Sequence, residues 1–377
     1  MRFTIERTKL LSHIQHLQGI VPIKTISPIL TNFLLEADAE NNLIRIITTD
    51  MQITVVVKIE AQVAESGKVA VSARNLTDIV VSLDEKPINF SQEDEYLKIR
   101  CSHSSFSLLC ADHQQFPLVP EIQIDKAFTV SAPTLAKMVN ISSIAVLQEV
   151  TRPIFTGIYW RILPDLQIMV ATDGKKIVEV RKEHNITLEK NLEHVIPTKG
   201  LFFLEKVIDE KNPDLKVIFE DNRIIFGYND YTVVSQIIPG KFPDYEKVLK
   251  IDNPNSLIID KATLRQAVKR VSLLTSEEFF RVKFEISSEK MVLYSVNSEM
   301  GDATEVIENH EYNGSPFAIA FNYKFILAVL NVLESEKVKI NFGEPEGGFI
   351  NNQVIIYNEP EPKDYHPVFL LMPLRLK

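Results

Sequence analysis

Residues that could carry chemistry are sparse in this chain. Eight histidines, His13, His16, His103, His113, His184, His194, His310 and His366, are the candidate proton carriers or metal ligands. His13 and His16 are spaced to place two imidazoles on one helical face, and His103 lies near Cys101 and Cys110. Neither group has an acidic third ligand close in sequence, so solvated histidines are the expectation and no metal or other cofactor is predicted. Asp173, within Ala171-Thr172-Asp173-Gly174, suits a turn better than general-base work. No Gly-x-Gly-x-x-Gly and no phosphate-loop lysine motif occurs, which removes dinucleotide and P-loop chemistry. The chain is not expected to be an enzyme.

What remains is charge and its placement. The 41 Lys and Arg against 50 Asp and Glu leave a formal net charge of −9, which argues against non-specific adhesion to nucleic acid through bulk charge. Apolar residues spaced three and four apart predict helices over Arg7–Leu17, Arg74–Ser82, Ala132–Ser142, Thr198–Ile208, Lys261–Val271 and Asn322–Val332. None of the six is net negative and five are net positive, so an acidic chain concentrates its cations on helices. In Lys261–Val271, Leu264, Ala267, Val268 and Val271 share a face while Arg265, Lys269 and Arg270 lie mostly away from it. A solvated helix face explains any one such case. Six together fit a surface that attracts a phosphate backbone without reading bases.

The elements that must position these cations form a repeat. Phe3-Thr4-Ile5-Glu6, Phe128-Thr129-Val130-Ser131 and Leu257-Ile258-Ile259-Asp260 each read as a strand leading into an amphipathic helix, with Ser131 and Asp260 as N-caps. A second strand–helix unit recurs at Val69–Val80, Val195–Val207 and Ala318–Val329, and β-type runs separated by turn residues fill the intervals. An α+β fold follows, with three similar domains each made of two strand–helix–strands halves. Their expected bounds are 1–125, 126–254 and 255–377, with linkers near Gln123–Lys126 and Asp252–Asn255. A repeat of ~125 residues is too long for an ordinary solenoid, and such a series can close into a ring within one chain or as a symmetric dimer. The N-terminus lacks a signal-peptide core, no apolar run approaches the ~20 residues of a membrane span, and two cysteines make no disulfide framework; a cytoplasmic protein is expected.

Five motifs in order, Ser27-Pro28-Ile29-Leu30-Thr31-Asn32, Ala171-Thr172-Asp173-Gly174, Val195-Ile196-Pro197-Thr198-Lys199-Gly200, Gly240-Lys241-Phe242-Pro243-Asp244-Tyr245 and Leu371-Met372-Pro373-Leu374-Arg375-Leu376, resemble the bacterial DNA sliding clamps, the β subunits of the replicative DNA polymerase III holoenzyme. The resemblance spans the whole chain. It implies the DNA clamp fold, a head-to-tail homodimeric ring with sheets outside and helices lining the hole, which encircles duplex DNA and tethers the polymerase. It also implies a pocket for partner peptides rich in Gln, Leu and Phe. That pocket would use Phe155, Thr172, Gly174, Lys175, Lys176, Ile177, Pro243, Lys247, Val248, Leu370, Leu371, Met372, Pro373, Leu374 and Arg375. Implied DNA contacts are Lys24, Arg74, Lys137, Arg152, Lys199, Arg265 and Lys269, and the implied subunit interface joins Phe106 and Leu108 to Leu273 and Leu274. Implied partners are double-stranded DNA, the replicative polymerase, the clamp loader, and other polymerases and repair proteins carrying a clamp-binding motif. The family's common His-Arg after Asp-Gly is Lys175-Lys176 here, and Phe155 stands where Leu is familiar. A β-rich scaffold for protein partners that never meets DNA is the alternative, and would show no salt-sensitive DNA retention.

Overall fold

In the computed structural model the described residues are 1–119, 127–149, 151–184, 186, 191–209, 211–250, 253–276, 280–350 and 352–375. The expected linker Gln123–Lys126, Asp252 of the second linker, and Leu376 and Lys377 lie outside them. Seven helices occur among the described residues: α1 (Arg7–Gln18), α2 (Ala73–Ser82), α3 (Ala132–Ser143), α4 (Thr198–Val207), the short α5 (Glu246–Leu249), α6 (Lys261–Ser272) and α7 (Tyr323–Val332). Six match the periodicity; α5 was not expected from it.

Local chemistry explains where the helices begin. Asp260 Oδ1 accepts the Thr263 N–H at 2.7 Å, Ser72 Oγ accepts that of Asn75 at 3.3 Å, Ser131 Oγ that of Thr134 at 3.4 Å, and Asn322 Oδ1 that of Lys324 at 3.0 Å. The longer helices then bury one stripe, as Leu10, Ile14 and Leu17 do on α1 and Leu264, Ala267, Val268 and Val271 on α6.

The residues divide into two compact units, Met1–Ala136 with Ile196–Ile237, and Lys137–Val195 with Ile238–Lys377. The first holds a thirteen-stranded antiparallel sheet, and the second holds sheets of nine and four strands. The reason the division cuts through the middle repeat is hydrogen bonding between repeats. Tyr231–Gln236 pairs with Ile53–Glu60, from Tyr231 opposite Val57 to Ser235 opposite Ile53. Likewise Lys176–Glu183 pairs with His366–Leu371, from Lys176 opposite Leu371 to Arg181 opposite His366. Each half of the middle repeat extends the sheet of a neighbour.

Within the first unit, α1 packs on α2 and on the strand Ile53–Glu60. Cross-strand pairing places Ala70, Leu34, Ile47 and Val56 in one row on a single face, with Ile29, Leu30 and Phe116 clustered on it. The second unit carries the corresponding cluster of Phe155, Ile168, Val170, Val195, Phe242 and Tyr245.

Candidate functional site

The turn Thr172–Lys176 is the most closely determined part of the candidate pocket. Thr172 Oγ1 donates to the Lys176 carbonyl at 2.8 Å and accepts the Gly174 N–H at 3.0 Å. Asp173 Oδ1 accepts the N–H groups of Lys175 and Lys176 at 2.8 and 2.9 Å, so Asp173 is a turn residue, as its sequence context indicated. Gly174 has φ +86°, a conformation that disfavours any residue with a Cβ. Lys176 is buried: its ammonium sits 2.8 Å from Asp173 Oδ2 and 3.8 Å from the centroid of the Phe325 ring. It supports the turn from behind while Lys175 and Gly174 face solvent.

The chain's last strand, His366–Leu371, lies beside this turn. Leu370 and Leu371 are buried, whereas Met372 is 42% exposed and Pro373 and Leu374 are half-buried. The Met372 N–H donates to the Lys175 carbonyl at 2.9 Å and the Leu374 N–H to the Ala320 carbonyl at 2.7 Å, so the tail is held in place beyond the end of its strand. Arg375 is exposed.

The third wall is Phe242–Lys250. Phe242 stacks on Tyr159 at 4.6 Å between centroids and meets Phe155 edge-on at 6.3 Å, leaving Pro243, Lys247 and Val248 exposed. Phe155 is itself buried, and the Arg152 guanidinium stands 6.0 Å from its ring. Lys247 pairs with Asp244 at 2.8 Å, which lowers the Asp244 carboxyl and raises the Lys247 ammonium from their ordinary pKa values. The exposed apolar groups are thus Pro243, Val248 and Met372 with half-buried Ile177 and Leu374, while Phe155, Thr172, Leu370 and Leu371 form the layer beneath.

A polar network adjoins this wall. Arg161 bridges Glu193 at 3.2 Å and Glu246 at 2.6 Å and donates to Tyr245 Oη at 3.3 Å; Tyr159 Oη donates to Glu193 at 2.8 Å. Burial, and then Glu193, push the Tyr159 phenol up to about 12. Sequence reasoning did not select Tyr159, Arg161, Phe242 or Tyr245. Phe242 and Tyr245 flank Pro243 in a motif already singled out, but Arg161 carries no local signal.

The seven candidate phosphate contacts differ in availability. Lys24, Arg152, Arg265 and Lys269 are exposed. Arg74 is exposed with Asp78 3.8 Å away. Lys137 pairs with Glu334 and lies 4.2 Å from the Tyr365 ring centroid, and Lys199 pairs with Asp50 and donates to the Ile20 carbonyl at 2.9 Å. Both therefore have protein partners that a phosphate would have to replace.

Of the four candidate interface residues, Leu273 is 73% exposed and Leu274 half-buried after α6. Phe106 and Leu108 lie on Ser104–Ala111, which pairs with Tyr96–Cys101 along its length and with Gly67–Ser72 only at Cys110 and Ala111. Ser104–Leu109 thus presents a free edge among the described residues, with Leu109 58% exposed, Phe106 half-buried and Leu108 buried.

His13 and His16 do share a helical face: their Nδ1 atoms lie 2.6 and 3.1 Å from Tyr231 Oη. No group of three or more His, Cys, Asp or Glu residues suited to a metal occurs among the described residues. No helix is long and apolar enough to cross a membrane.

Comparison with known proteins places three consecutive family profiles on the chain. The N-terminal domain of the DNA polymerase III beta subunit matches residues 1–120, the central domain 129–244 and the C-terminal domain 246–373. The beta sliding clamp of Pseudomonas aeruginosa is 27% identical over 100% of both chains, and that of Staphylococcus epidermidis 28% identical over 91% of this chain and 93% of its own. The crystal structure of the Pseudomonas aeruginosa DNA polymerase III subunit beta superposes with a TM-score of 0.90 at 27% identity over 100% of both chains. That of the Bacillus subtilis sliding clamp does so with a TM-score of 0.90 at 23% identity, again over the whole of both chains, a likeness of fold.

Proposed function

The chain belongs to the DNA polymerase III beta subunit family, and from that premise we propose that it works as a DNA sliding clamp: a homodimeric ring that encircles duplex DNA and tethers the replicative polymerase during synthesis. The observation that carries this reading is the run of three family domains in register with a threefold strand–helix repeat. Cations on α6 support contact with phosphates: Arg265 and Lys269 are exposed, and the chain as a whole is at −9. Encirclement requires no tight contact, so an acidic protein can hold DNA topologically.

We place the three domains at 1–125, 126–254 and 255–377. Partner peptides would dock where Gly174, Pro243, Val248 and Met372 are exposed around a buried aromatic floor, with the clamp loader, further polymerases and repair proteins sharing this pocket. Met372 suits a surface that must accept several sequences. The free edge at Phe106 and Leu108 would meet the Leu273–Leu274 end of α6 in the second copy. The protein would act as a cytoplasmic tether without catalysis of its own.

The test is retention on closed circular DNA after loading. The clamp should remain bound to the circle and leave within the dead time once the circle is cut. Equal retention on circular and linear DNA would overturn the reading.

A further inference from the structure

The turn beside the candidate pocket is built twice. In the first unit Thr49 Oγ1 donates to the Ile53 carbonyl at 2.9 Å and accepts the Met51 N–H at 3.1 Å, and Asp50 Oδ1 accepts the N–H groups of Gln52 and Ile53 at 3.0 and 2.9 Å. Met51 has φ +76° where the other copy has Gly174 at +86°. The Gln236 N–H donates to the Gln52 carbonyl at 2.9 Å, as that of Met372 does to Lys175. Phe116-Pro117 covers the apolar row as Phe242-Pro243 does.

The two copies differ in what lies next to that cover. In the second unit the adjoining row across the strands holds Arg161, Ile168 and Arg181, and carboxylates neutralise both arginines: Glu193 and Glu246 on Arg161, Glu179 on Arg181 at 2.8 Å. In the first unit the same row reads Lys68, Glu36, Arg45 and Lys58. Glu36 alone serves both Arg45, at 2.8 Å, and Lys68, at 2.7 Å, while Arg45 Nε has no hydrogen-bond partner. Lys58 stands where Arg181 stands, and the place of Arg181's partner Glu179 is taken by Val56. Above this row a cavity of about 880 Å³ opens, lined by the apolar Leu34, Val56 and Phe116 and by Arg45, Lys58 and Lys68 against the carboxylates of Glu36 and Asp38, the latter already accepting from Glu40 and Asn41.

We infer that this cavity is a second linear-peptide site, taking a short segment with one aromatic or aliphatic anchor followed by carboxylates. The anchor packs against Phe116 and Leu34, and the carboxylates supply to Arg45, Lys58 and Lys68 the charge that the second unit supplies from its own chain. The inference rests on the reading of the Gly174–Met372 pocket as a peptide site, because the two share one architecture.

The test uses the full chain and a fluorescein-labelled probe, Gly-Leu-Phe-Asp-Glu-Asp-Gly, with its Asn/Gln counterpart as the neutral control. A photoreactive phenylalanine in the probe should cross-link to 113–119 or to the strands at 34–58, with saturable binding. Lys58→Glu, an exposed change, combined with Lys68→Glu should weaken binding by roughly tenfold or more, and Lys58→Arg should preserve it. Far-ultraviolet circular dichroism confirms that the variants fold. Deleting Met372–Lys377 should leave this probe unaffected while abolishing binding of a Gln-, Leu- and Phe-rich peptide; loss of neither would count against the first reading alone. Absence of saturable binding, equal binding of the neutral probe, cross-links confined to 170–177 and 370–375, or indifference to the double substitution would each overturn the second site.

Discussion

Tyr231 receives two imidazoles on one hydroxyl, and that contact joins the first repeat to the second inside a single unit. Burial lowers the pKa of both His13 and His16; for His13 the neighbouring Asp230 raises it while His16 and Lys9 lower it, and for His16 Lys206 lowers it. A histidine held below its ordinary value of 6.5 takes up a proton more readily unfolded than folded. Its contribution to stability is therefore complete above that value and shrinks as pH falls from there through the lower folded pKa. Thermal unfolding should show a midpoint that drops on acidification below about pH 6.5, and His13→Gln with His16→Gln should flatten that part of the profile. A profile unchanged by the double substitution would assign the acid sensitivity to other groups. The helical spacing of these histidines was legible in the sequence, but their partner was not, because Tyr231 lies more than two hundred residues away and reaches them only through sheet pairing. The same holds for Lys137 and Glu334: a lysine on a helix surface gives no local sign of which carboxylate it meets.

At the scale of elements, six helices could be read from apolar spacing and two of their caps from Ser131 and Asp260, since both effects act within one turn. The short α5 could not, because four residues carry no period. Nor could the layering of the pocket: strand alternation separates Leu371 from Met372, but the burial of Lys176 depends on Phe325 coming up behind it. The tail offers a direct measurement. Removing Met372–Lys377 takes away exposed Met372 and half-buried Leu374 but leaves the paired strand His366–Leu371 intact. Binding of a Gln- and Leu-rich peptide should be abolished in a fluorescence titration, a loss of more than ~3 kcal/mol, with the thermal midpoint nearly unchanged. Replacing Leu273 and Leu274 by Glu tests the other surface. Leu273 is 73% exposed, so charge there is tolerated by the isolated chain, whereas in an apolar interface it would be buried unpaired. Sedimentation at micromolar concentration should shift from dimer to monomer, and a variant that still sediments as a dimer would move the interface elsewhere.

Across the whole molecule, sequence repeats and structural units do not coincide. The repeats follow chain order, but the middle one divides between two units because each of its halves is hydrogen-bonded into a neighbour's sheet. A fragment of 126–254 expressed alone would present two uncovered edges, at Tyr231–Gln236 and at Lys176–Glu183, where the full chain has ladders. Gel filtration and light scattering should find it aggregated or largely unfolded, and a monomeric, cooperatively melting fragment would show that the ladders are dispensable. The ladders also govern where a clamp can be parted. Sliding Tyr231–Gln236 past Ile53–Glu60, or Lys176–Glu183 past His366–Leu371, shears a row of backbone hydrogen bonds together and meets the covalent chain as well. A contact between copies lacks the second restraint, because no covalent chain crosses it. The seams inside each chain are welds and the two between chains are latches, so a machine that forces the assembly open finds its lowest mechanical resistance at a latch.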